Sequence, residues 1–360
     1  MNSAPIVDVI IPIHDSKRPL ERTLRSLLAT GMSVGSEVLI SVVCHNIPAA
    51  EISSKLPSEL SELVNFLEFH DGLPSPAGPR AHAIEQTNGR YISFLDSDDT
   101  FDPQALKSWV TQADEHSLDA VIPPERHDTG KAIRTPPVRP FRTGNLDPVR
   151  DRLSYRTAPL GLIRRAAIDQ LGLEFGGEVR NGSDQVFALK LWFGSASVRF
   201  ARGQPGYVVG GDADTRVTTQ MQPLAAELKA TRDLLRTAWF ADLSTASRRA
   251  IAVKFVRLQL FGGVERRLAA NTWSVGSRID AAEFLSTIEQ VASGYQRSLS
   301  VADVRMCRAI ASQTPTANEM SLLAKKRRAF GHPSTVLTHD LRYLLLPDAP
   351  LRYMIATALH

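Results

Sequence analysis

Short apolar runs alternate with amphipathic stretches through the first part of the chain. Val7–Ile13 and residues 38–43 are rich in β-branched side chains and lead into polar residues, which is the pattern of buried strands. The stretch between them is predicted to be a helix with Asp15 or Ser16 as its cap and Pro19 in its first turn. Its apolar face consists of Leu20, Leu24, Leu27 and Leu28. A strand, a helix and a second strand in this order predict a parallel sheet.

The same alternation continues through the middle of the chain. Further strands are predicted at residues 65–69, 91–95, 118–122, 160–163 and 197–200. Further helices are predicted at residues 76–87, 165–171 and 184–193, the last with Val186, Leu189 and Phe193 on its apolar side. Asp102 and Pro103 are expected to cap and open another helix. Residues 123–148 show no period and are rich in Pro, Arg and Thr, which predicts a long irregular loop.

Strand patterns fade beyond residue 219, and helical patterns replace them. The predicted helices cover residues 224–240, 248–260, 281–292 and 301–311. At 360 residues the chain is longer than a single hydrophobic core usually supports, so two domains are expected. We predict an α/β domain over residues 1–220, with a mixed, mostly parallel sheet flanked by helices, and an all-helical domain over residues 221–360.

The composition is that of an ordinary globular protein, with 43% hydrophobic and 22% charged residues. Cys44 and Cys307 lie far apart in the chain, which argues against a disulfide framework or a cysteine zinc site and favours a reducing, cytoplasmic location. Neither a signal-peptide layout nor a membrane-spanning apolar stretch is visible, so any membrane contact is expected to be peripheral. The net charge of +4 favours anionic ligands such as nucleotide diphosphates without requiring nucleic acid.

An acidic cluster follows the predicted strand at residues 91–95. Its residues are Asp96, Ser97, Asp98 and Asp99. Like charges at the carboxyl edge of a sheet repel one another unless water or a cation offsets their repulsion. Asp96 and Asp98 are two residues apart on an extended backbone and project to the same side, so one could meet a ribose or a metal-bound water while the other ligates Mg²⁺ or Mn²⁺. The alternative is a capped acidic turn before the next helix.

Three motifs in order resemble family 2 glycosyltransferases of the GT-A fold. They are Val-Asp-Val-Ile-Ile-Pro-Ile-His-Asp at residues 7–15, Pro-Arg-Ala at 79–81, and Asn-Gly-Arg-Tyr-Ile-Ser-Phe-Leu-Asp-Ser-Asp-Asp at 88–99, which ends in the family's DxD motif. The resemblance covers about residues 5–220 and implies a nucleotide-sugar donor. It implies that Pro12, His14 and Asp15 line the nucleotide pocket and that Arg80 approaches the diphosphate or the base. It also implies that Asp96, Ser97 and Asp98 form the nucleotide and metal site.

The family usually places an acidic pair at the start of a later helix, and the second acid is the general base of inverting members. Residues 181–185 stand at the expected place, where Asp184 matches the base and Ser183 replaces the usual Glu. A base must lie within hydrogen-bond reach of the acceptor hydroxyl, because it removes the proton as that oxygen attacks the anomeric carbon. The alternative role of Asp184 is a helix N-cap.

Two segments depart from the family pattern or extend it. Where the family commonly has Asp-Asp-Gly-Ser after the second strand, this chain has Cys-His-Asn-Ile at residues 44–47. His45 or Asn46 could bond a nucleobase, although a core or capping role is equally open. Residues 210–219 resemble the flexible segment that closes over the donor, in which Arg216 could offset diphosphate charge or could be a solvated loop residue.

These expectations combine into an inverting transfer from a nucleotide-sugar donor, with Mg²⁺ or Mn²⁺, to an acceptor hydroxyl. The resemblance suggests a cell-envelope polysaccharide, a glycolipid or a teichoic-acid-like polymer as acceptor, and gives the helical domain a role in acceptor binding or in homo-oligomers. The basic run at residues 325–328 could meet anionic lipid or form a solvated face. A sugar-phosphate nucleotidyltransferase would have a glycine-rich phosphate loop soon after its first strand. Residues 14–19 contain no glycine, which disfavours that class of enzyme. A non-catalytic binding protein of the same fold stays open.

Overall fold

The computed structural model describes residues 4–175, 182–194, 196–211 and 222–359. The chain divides into two compact units. The first unit comprises residues 1–135, 143–146 and 157–219, and the second comprises residues 136–142, 147–156 and 220–360. Two stretches of the region predicted to be a long loop therefore belong to the second unit. The separate roles of the two units stay a prediction.

The described residues of the first unit form strands and helices in alternation. The strands are β1 Val7–Ile13, β2 Val38–His45, β3 Val64–Phe69, β4 Tyr91–Phe94, β5 Thr100–Phe101, β6 Ala120–Ile122, β7 Glu125–His127, β8 Ala132–Ile133, β9 Leu162–Arg164, β10 Val198–Phe200 and β11 Tyr207–Val209. The helices are α1 Leu20–Leu28, α2 Ala49–Ser53, α3 Ser58–Ser61, α4 Ala77–Gln86, α5 Ala105–Glu115, α6 Arg165–Gln170 and α7 Ser183–Phe193. This order confirms the predicted α/β class.

The main sheet has the strand order β10-β6-β9-β4-β1-β2-β3. Strand β1 lies between β2 and β4 and pairs with both in parallel, which explains why its β-branched run is buried on both faces. Strand β9 runs antiparallel to β4 and β6. The sheet is therefore mixed and mostly parallel, as the sequence predicts, and its parallel strands β1, β2 and β4 deliver their carboxyl ends to one edge.

A smaller sheet has the order β5-β11-β7-β8. Strands β7 and β8 lie inside the region that the sequence pattern predicts to be irregular, so that prediction is wrong for residues 125–127 and 132–133. Strands of two or three residues are too short to show a period of two, and they form because their neighbours pair with them. This sheet holds the chain that follows the acidic cluster, since β5 pairs with β11.

Several predicted helix details are wrong. Helix α1 begins after Pro19 without a side-chain cap, because Asp15 accepts a hydrogen bond from the Lys17 amide and Ser16 donates to Glu51. Helix α5 begins after Gln104, and the carboxylate of Asp102 accepts instead from the Gly206 amide and from Arg126. Of the predicted apolar faces, Leu28 is exposed and Val186 is only half-buried. Pattern alone does not show that tertiary partners compete for a capping side chain.

The regular secondary structure of the second unit's described residues is helical, apart from one bridge pair, Ser300 with Thr338. Its helices are α8 Leu224–Glu227, α9 Lys229–Leu235, α10 Ala238–Asp242, α11 Thr245–Lys254, α12 Phe261–Ala269, α13 Val275–Val291, α14 Val301–Ser312, α15 Ala317–Arg327, α16 Pro333–Val336 and α17 Pro350–Ala358. A π-helical turn, Phe255–Leu260, joins α11 to α12. The predicted helical region is confirmed, although the stretch at 224–240 is broken into three helices. Within the described residues, no helix combines the length and apolar character needed to cross a membrane.

Candidate active site

A cavity of about 690 Å³ opens at the carboxyl ends of β1, β2 and β4. Open α/β sheets commonly bind ligands at this edge. The predicted site residues that line it are Pro12, His14, Asn46, Arg80, Asp96, Ser97, Asp98 and Asp184. Asp15 does not line it, since its carboxylate turns back to the Lys17 amide. Arg216 lies outside the described residues.

Helix α1 fixes the turn that carries the acidic cluster. The hydroxyl of Thr23 donates to the carbonyl oxygens of Ser97 and Asp99, at 3.1 and 2.8 Å. Arg22 Nη2 donates to the Asp98 carbonyl oxygen at 2.7 Å. A side chain at Gly210 would collide with that same carbonyl, so only glycine allows the chain to pass there. Contacts to its backbone thus hold the turn in place. The side chains of the turn take no part in these contacts and can contact other groups.

The three carboxylates of the cluster have different partners. Asp96 Oδ1 lies 2.6 Å from Arg80 Nη2, and Asp98 Oδ2 lies 2.8 Å from Arg18 Nη1. Asp99 is buried, and it accepts hydrogen bonds from the Tyr207 hydroxyl at 2.6 Å and the Gly210 amide at 2.8 Å. Burial, with the charge of Asp96, raises the pKa of Asp99 to about 7. Asp99 therefore has a structural environment, whereas Asp96 and Asp98 are paired with arginines at the cavity.

A buried guanidinium links the acidic cluster to helix α7. Arg80 Nη1 lies 2.6 Å from Asp184 Oδ1, and Arg80 also pairs with Asp96. Its guanidinium carbon lies 5.7 Å from the ring centroid of Phe94 and 6.0 Å from that of Phe175. Burial by itself lowers the pKa of Arg80, but the charges of Asp184 and Asp96 outweigh burial and raise it. Arg80 thus fixes the two carboxylates relative to each other.

Asp184 stands in the first turn of α7. Gly182, with a φ of 92°, is the N-cap of this helix, and no side chain caps it. The N-cap alternative for Asp184 is therefore not what the structure has. The side chain of Asp184 is 26% exposed and lines the cavity, at the helix end whose dipole favours a negative charge. A carboxylate in this position can accept a proton from a group bound in the cavity.

The departure at residues 44–47 forms a bonded wall of the cavity. His45 Nε2 lies 2.7 Å from Asp71 Oδ1. Asn46 adopts a φ of 59°, and its side-chain oxygen accepts from the amides of Asp71 and Gly72 while its amide donates to the Leu73 carbonyl. Burial raises the pKa of Asp71, but the hydrogen bond from His45 helps to outweigh it and the pKa is lowered. The side chains of His45 and Asn46 thus hold the loop at residues 71–73.

Two residues of this site were not predicted from the sequence. Arg18 lines the cavity, and Asp71 holds its wall through His45. Arg18 could have been predicted from its position in the chain. It lies in the loop between the end of β1 and the start of α1, and loops at the carboxyl edge of such a sheet commonly bind ligands. Asp71 gave no local signal, since it lies 26 residues from His45 in the chain.

The acidic turn offers two carboxylates to a divalent cation. The described residues contain no group of three or more His, Cys, Asp or Glu side chains arranged for a metal. Asp96 and Asp98 both line the cavity and offer the hard oxygen ligands that Mg²⁺ and Mn²⁺ prefer. Mg²⁺ is often held by one or two carboxylates with substrate phosphates and water completing its shell. The residues present fit a cation that arrives with a phosphate ligand.

The mixed sheet, with the acidic turn at its carboxyl edge, is that of a GT-A type of protein. Part of the chain also matches a family model. Residues 8–172 match the model of Glycosyl transferase family 2. This stretch of the chain belongs to that family, as predicted.

Among similar proteins is the poly(ribitol-phosphate) beta-N-acetylglucosaminyltransferase TarS of Staphylococcus aureus, which is 26% identical over 187 residues, or 51% of this chain and 32% of that protein. TarP, a poly(ribitol-phosphate) beta-N-acetylglucosaminyltransferase of the same species, is 24% identical over 212 residues, or 58% of this chain and 64% of that protein. The alignments thus span less than two thirds of each of these curated relatives.

A solved structure confirms the fold over nearly the whole chain. The crystal structure of S. aureus TarS 1-349 in complex with UDP-GlcNAc matches with a TM-score of 0.70 and 15% identity, covering 89% of this chain and 91% of that one. At this identity the match shows the GT-A fold with its helical C-terminal region, and the fold alone.

Proposed function

We propose that the chain transfers a sugar from a nucleotide-sugar donor to a hydroxyl group of a cell-envelope polymer, with inversion at the anomeric carbon. The observation that carries this proposal is the pairing, through Arg80, of the acidic turn after β4 with Asp184 at the start of α7. Two carboxylates fixed in one cavity can serve the donor and the acceptor separately. Family membership supports the reaction class.

The cavity is suited to a nucleotide sugar. Its volume of about 690 Å³ lies in the range of small-molecule sites. We assign its wall at His14, His45 and Asn46 to the nucleobase and its acidic turn to the diphosphate and ribose. Arg18 lines the same cavity and supplies a positive charge for phosphate oxygens. The UDP-GlcNAc bound by TarS makes UDP-GlcNAc the first donor to test.

We propose that Asp98, with Asp96, holds Mg²⁺ or Mn²⁺ together with the donor. When bound, such a cation offsets the negative charge that grows on the diphosphate leaving group. Arg18 pairs with Asp98 at the cavity, so its guanidinium would also be placed to bind phosphate oxygens of the donor. Arg216 lies outside the described residues, and its role in offsetting the charge of the diphosphate stays a prediction.

Asp184 is the proposed general base. Its carboxylate takes the proton of the acceptor hydroxyl while that oxygen forms a bond to the anomeric carbon and the bond from that carbon to the diphosphate oxygen breaks. The electron pair of the broken bond leaves with the diphosphate. Arg80 holds Asp184 through Nη1, and this fixed position keeps the base aimed at one face of the bound sugar.

The acceptor is proposed to be a polyol-phosphate or related envelope polymer, because TarS and TarP are named for poly(ribitol-phosphate). The second unit is proposed to bind that acceptor or to form a homo-oligomer. Cys44 and Cys307 are both free and buried, which is compatible with the predicted reducing, cytoplasmic location. That location and any peripheral membrane contact stay predictions.

A thermal-shift and transfer experiment tests the proposal. UDP-GlcNAc and other nucleotide sugars should raise the melting temperature, with a larger rise in Mn²⁺, since ligands stabilise the folded state that binds them. Asp98→Ala should lose the Mn²⁺-dependent part of that rise. Asp184→Asn should keep donor binding while transfer falls by about 10²–10⁴-fold, the usual contribution of a general base.

The exposed Asp169→Asn on α6 is the matched control and should behave as the wild type. Equal loss of donor binding and transfer in Asp184→Asn would contradict the role of Asp184 as base. A chain that binds donors but never releases a nucleoside diphosphate would be a binding protein.

A further inference from the structure

The second unit contains a cavity of about 500 Å³ that the proposed reaction does not use. It is built beside the π-helical turn Phe255–Leu260. Turns of this kind are rare and occur frequently at functional sites, because the extra residue per turn redirects neighbouring side chains. Here the side chain of Arg257 is only 12% exposed at the cavity, and Leu258, the next residue, is exposed beside it.

The floor of this cavity alternates guanidinium and carboxylate groups. Arg257 Nε lies 3.4 Å from Asp303 Oδ2, and Arg327 Nη1 lies 3.6 Å from Asp303 Oδ1. Arg327 Nε donates to Glu265 Oε1 at 3.1 Å, and Arg328 pairs with the other oxygen of Glu265. Adjacent donors and acceptors suit vicinal hydroxyl groups, because each hydroxyl can donate to a carboxylate and accept from a guanidinium.

Aromatic rings form the walls. Tyr155 and Tyr353 both line the cavity, with ring centroids 5.0 Å apart. Phe330 also lines it and is 85% exposed, so its ring is open to a ligand. Rings with an apolar face and a polar edge suit the carbon skeleton of a sugar or polyol.

The rim is basic. Arg328, which lines the cavity, is 70% exposed. Lys325 and Lys326 in the last turn of α15 are also exposed, and they add positive charge nearby in the chain without lining the cavity. Exposed, flexible cations of this kind attract phosphate groups at little cost in desolvation. The neutral polar floor and the cationic rim together favour a ligand that carries both hydroxyl and phosphate groups.

We propose that this cavity is a second binding site for the acceptor, which holds a segment of a sugar-phosphate or polyol-phosphate chain. The inference rests on the proposed function, because a polymeric acceptor of that chemistry is the one ligand that the enzyme would meet in long form. A chain held at two places dissociates more slowly than a chain held at one, since the second contact acts at a high effective concentration. The site therefore serves long acceptors and is dispensable for short ones.

Calorimetric titration and transfer kinetics with a short and a long synthetic ribitol-phosphate oligomer test this site. Phe330→Ala and Arg328→Ala should weaken binding of the long oligomer by about tenfold, the size expected when one significant contact is removed. The ratio of the KM for the long oligomer to that for the short one should rise by a similar factor in both variants. Phe141→Ala and Arg342→Ala are matched controls, since their side chains are 81% and 82% exposed in the same unit and do not line the cavity.

Each result decides for or against the site. Unchanged binding and an unchanged KM ratio in both cavity variants would overturn the inference, as would equal effects in the two control variants. Displacement of the oligomer by inorganic phosphate alone, at equal phosphate concentration, would also overturn it, because the site would then read only charge. If the wild type transfers no sugar to either oligomer, the proposed function fails, whereas the titration still decides whether the cavity binds the chain.

Discussion

Two buried arginines show how differently the two units use the same chemistry. Arg257 in the second unit donates to the Tyr155 hydroxyl, to the carbonyl oxygens of Asp348 and Ser298, and to Asp303. Arg80 in the first unit has two carboxylate partners, while its Nε has no hydrogen-bond partner among the described residues. Burial lowers the pKa of both arginines. For Arg257 the charges of Tyr155 and Asp303 outweigh burial and raise the pKa, as the two carboxylates do for Arg80.

The difference lies in what those partners can do. If Arg257 moved away, the backbone carbonyls and the buried Asp303 would lose hydrogen bonds, which costs free energy. This arginine therefore acts as a permanent cross-link within the unit. Asp303 also lines a cavity, but its side chain is only 7% exposed, whereas Asp96 is 46% exposed at the cavity of the first unit, so a ligand can reach it. We conclude that the acidic turn keeps its charge available for chemistry, whereas Arg257 uses its donors within the protein.

Arg257→Gln should give the largest effect. It leaves Asp303 buried with weaker compensation, and breaking a buried ion pair costs about 3–5 kcal/mol. The free energy of unfolding, measured in urea, should fall by that order. Arg342→Gln, which breaks an exposed ion pair with Asp340 in the same unit, should leave it nearly unchanged. A loss for Arg257→Gln no larger than for this control would end the contrast between the two arginines.

Asp99→Asn should remove a pH dependence of stability. The folded-state pKa of Asp99 is raised from 3.8 to about 7, so the wild type gains stability from its protonated form at low pH and loses it as pH rises from about 4 to about 7. The loss should be at most about 4 kcal/mol, at about 1.4 kcal/mol per pKa unit. Relative to the variant, the wild type should therefore become less stable across that window and stay level above it. Parallel pH profiles for the two proteins would contradict this.

Arg80→Gln should slow transfer by about a hundredfold, since a misplaced catalytic group costs on that order. Its cost in stability should be smaller than that of Arg257→Gln, because water can reach Asp96 and Asp184 once the guanidinium is gone. Rates of sugar transfer and urea unfolding measure the two effects on the same preparations. The control is Arg90→Gln, a half-exposed arginine of the same unit paired with Asp114. Unchanged transfer would remove Arg80 from the site.

Thr23→Val should have the smallest effect. The valine keeps the shape but leaves the carbonyl oxygens of Ser97 and Asp99 without the hydroxyl that now donates to them. The cost in unfolding free energy should be about 1–3 kcal/mol, with a slower transfer rate because the acidic turn loosens. The exposed Thr111→Val on α5 is the control. Full activity with reduced stability would show that the turn keeps its geometry without α1.

The parts of the fold that the sequence predicts are those with a long, regular pattern. Strands β1 and β2 are β-branched runs and β4 is a short apolar run, in the order of a parallel sheet, so their edge and the acidic turn on it could be located from the chain alone. The two-residue and three-residue strands of the smaller sheet could not, because they exist through pairing with distant segments. The π-helical turn was hidden for a related reason, since its residues continue an ordinary helical pattern.

The candidate site divides in the same way. Asp96, Asp98 and Asp184 were identifiable by their resemblance to family motifs. Arg80 was identified by the same resemblance, but its pairing with two of these carboxylates was not. An ion pair such as Arg18 with Asp98 joins residues 80 positions apart that only the folded sheet edge brings together. Motifs mark which residues carry chemistry, and tertiary structure decides their charge partners.

The course of the chain also limits how this protein can be cut or assembled. Residues 136–142 and 147–156 belong to the second unit although they precede much of the first. Arg152, from the later of these stretches, donates to the carbonyl oxygens of both Pro137 and Pro347. A chain truncated after residue 220 would therefore leave those stretches without their partners. Neither unit can be expressed whole by cutting the chain at one point, and we expect fragments made in that way to be insoluble.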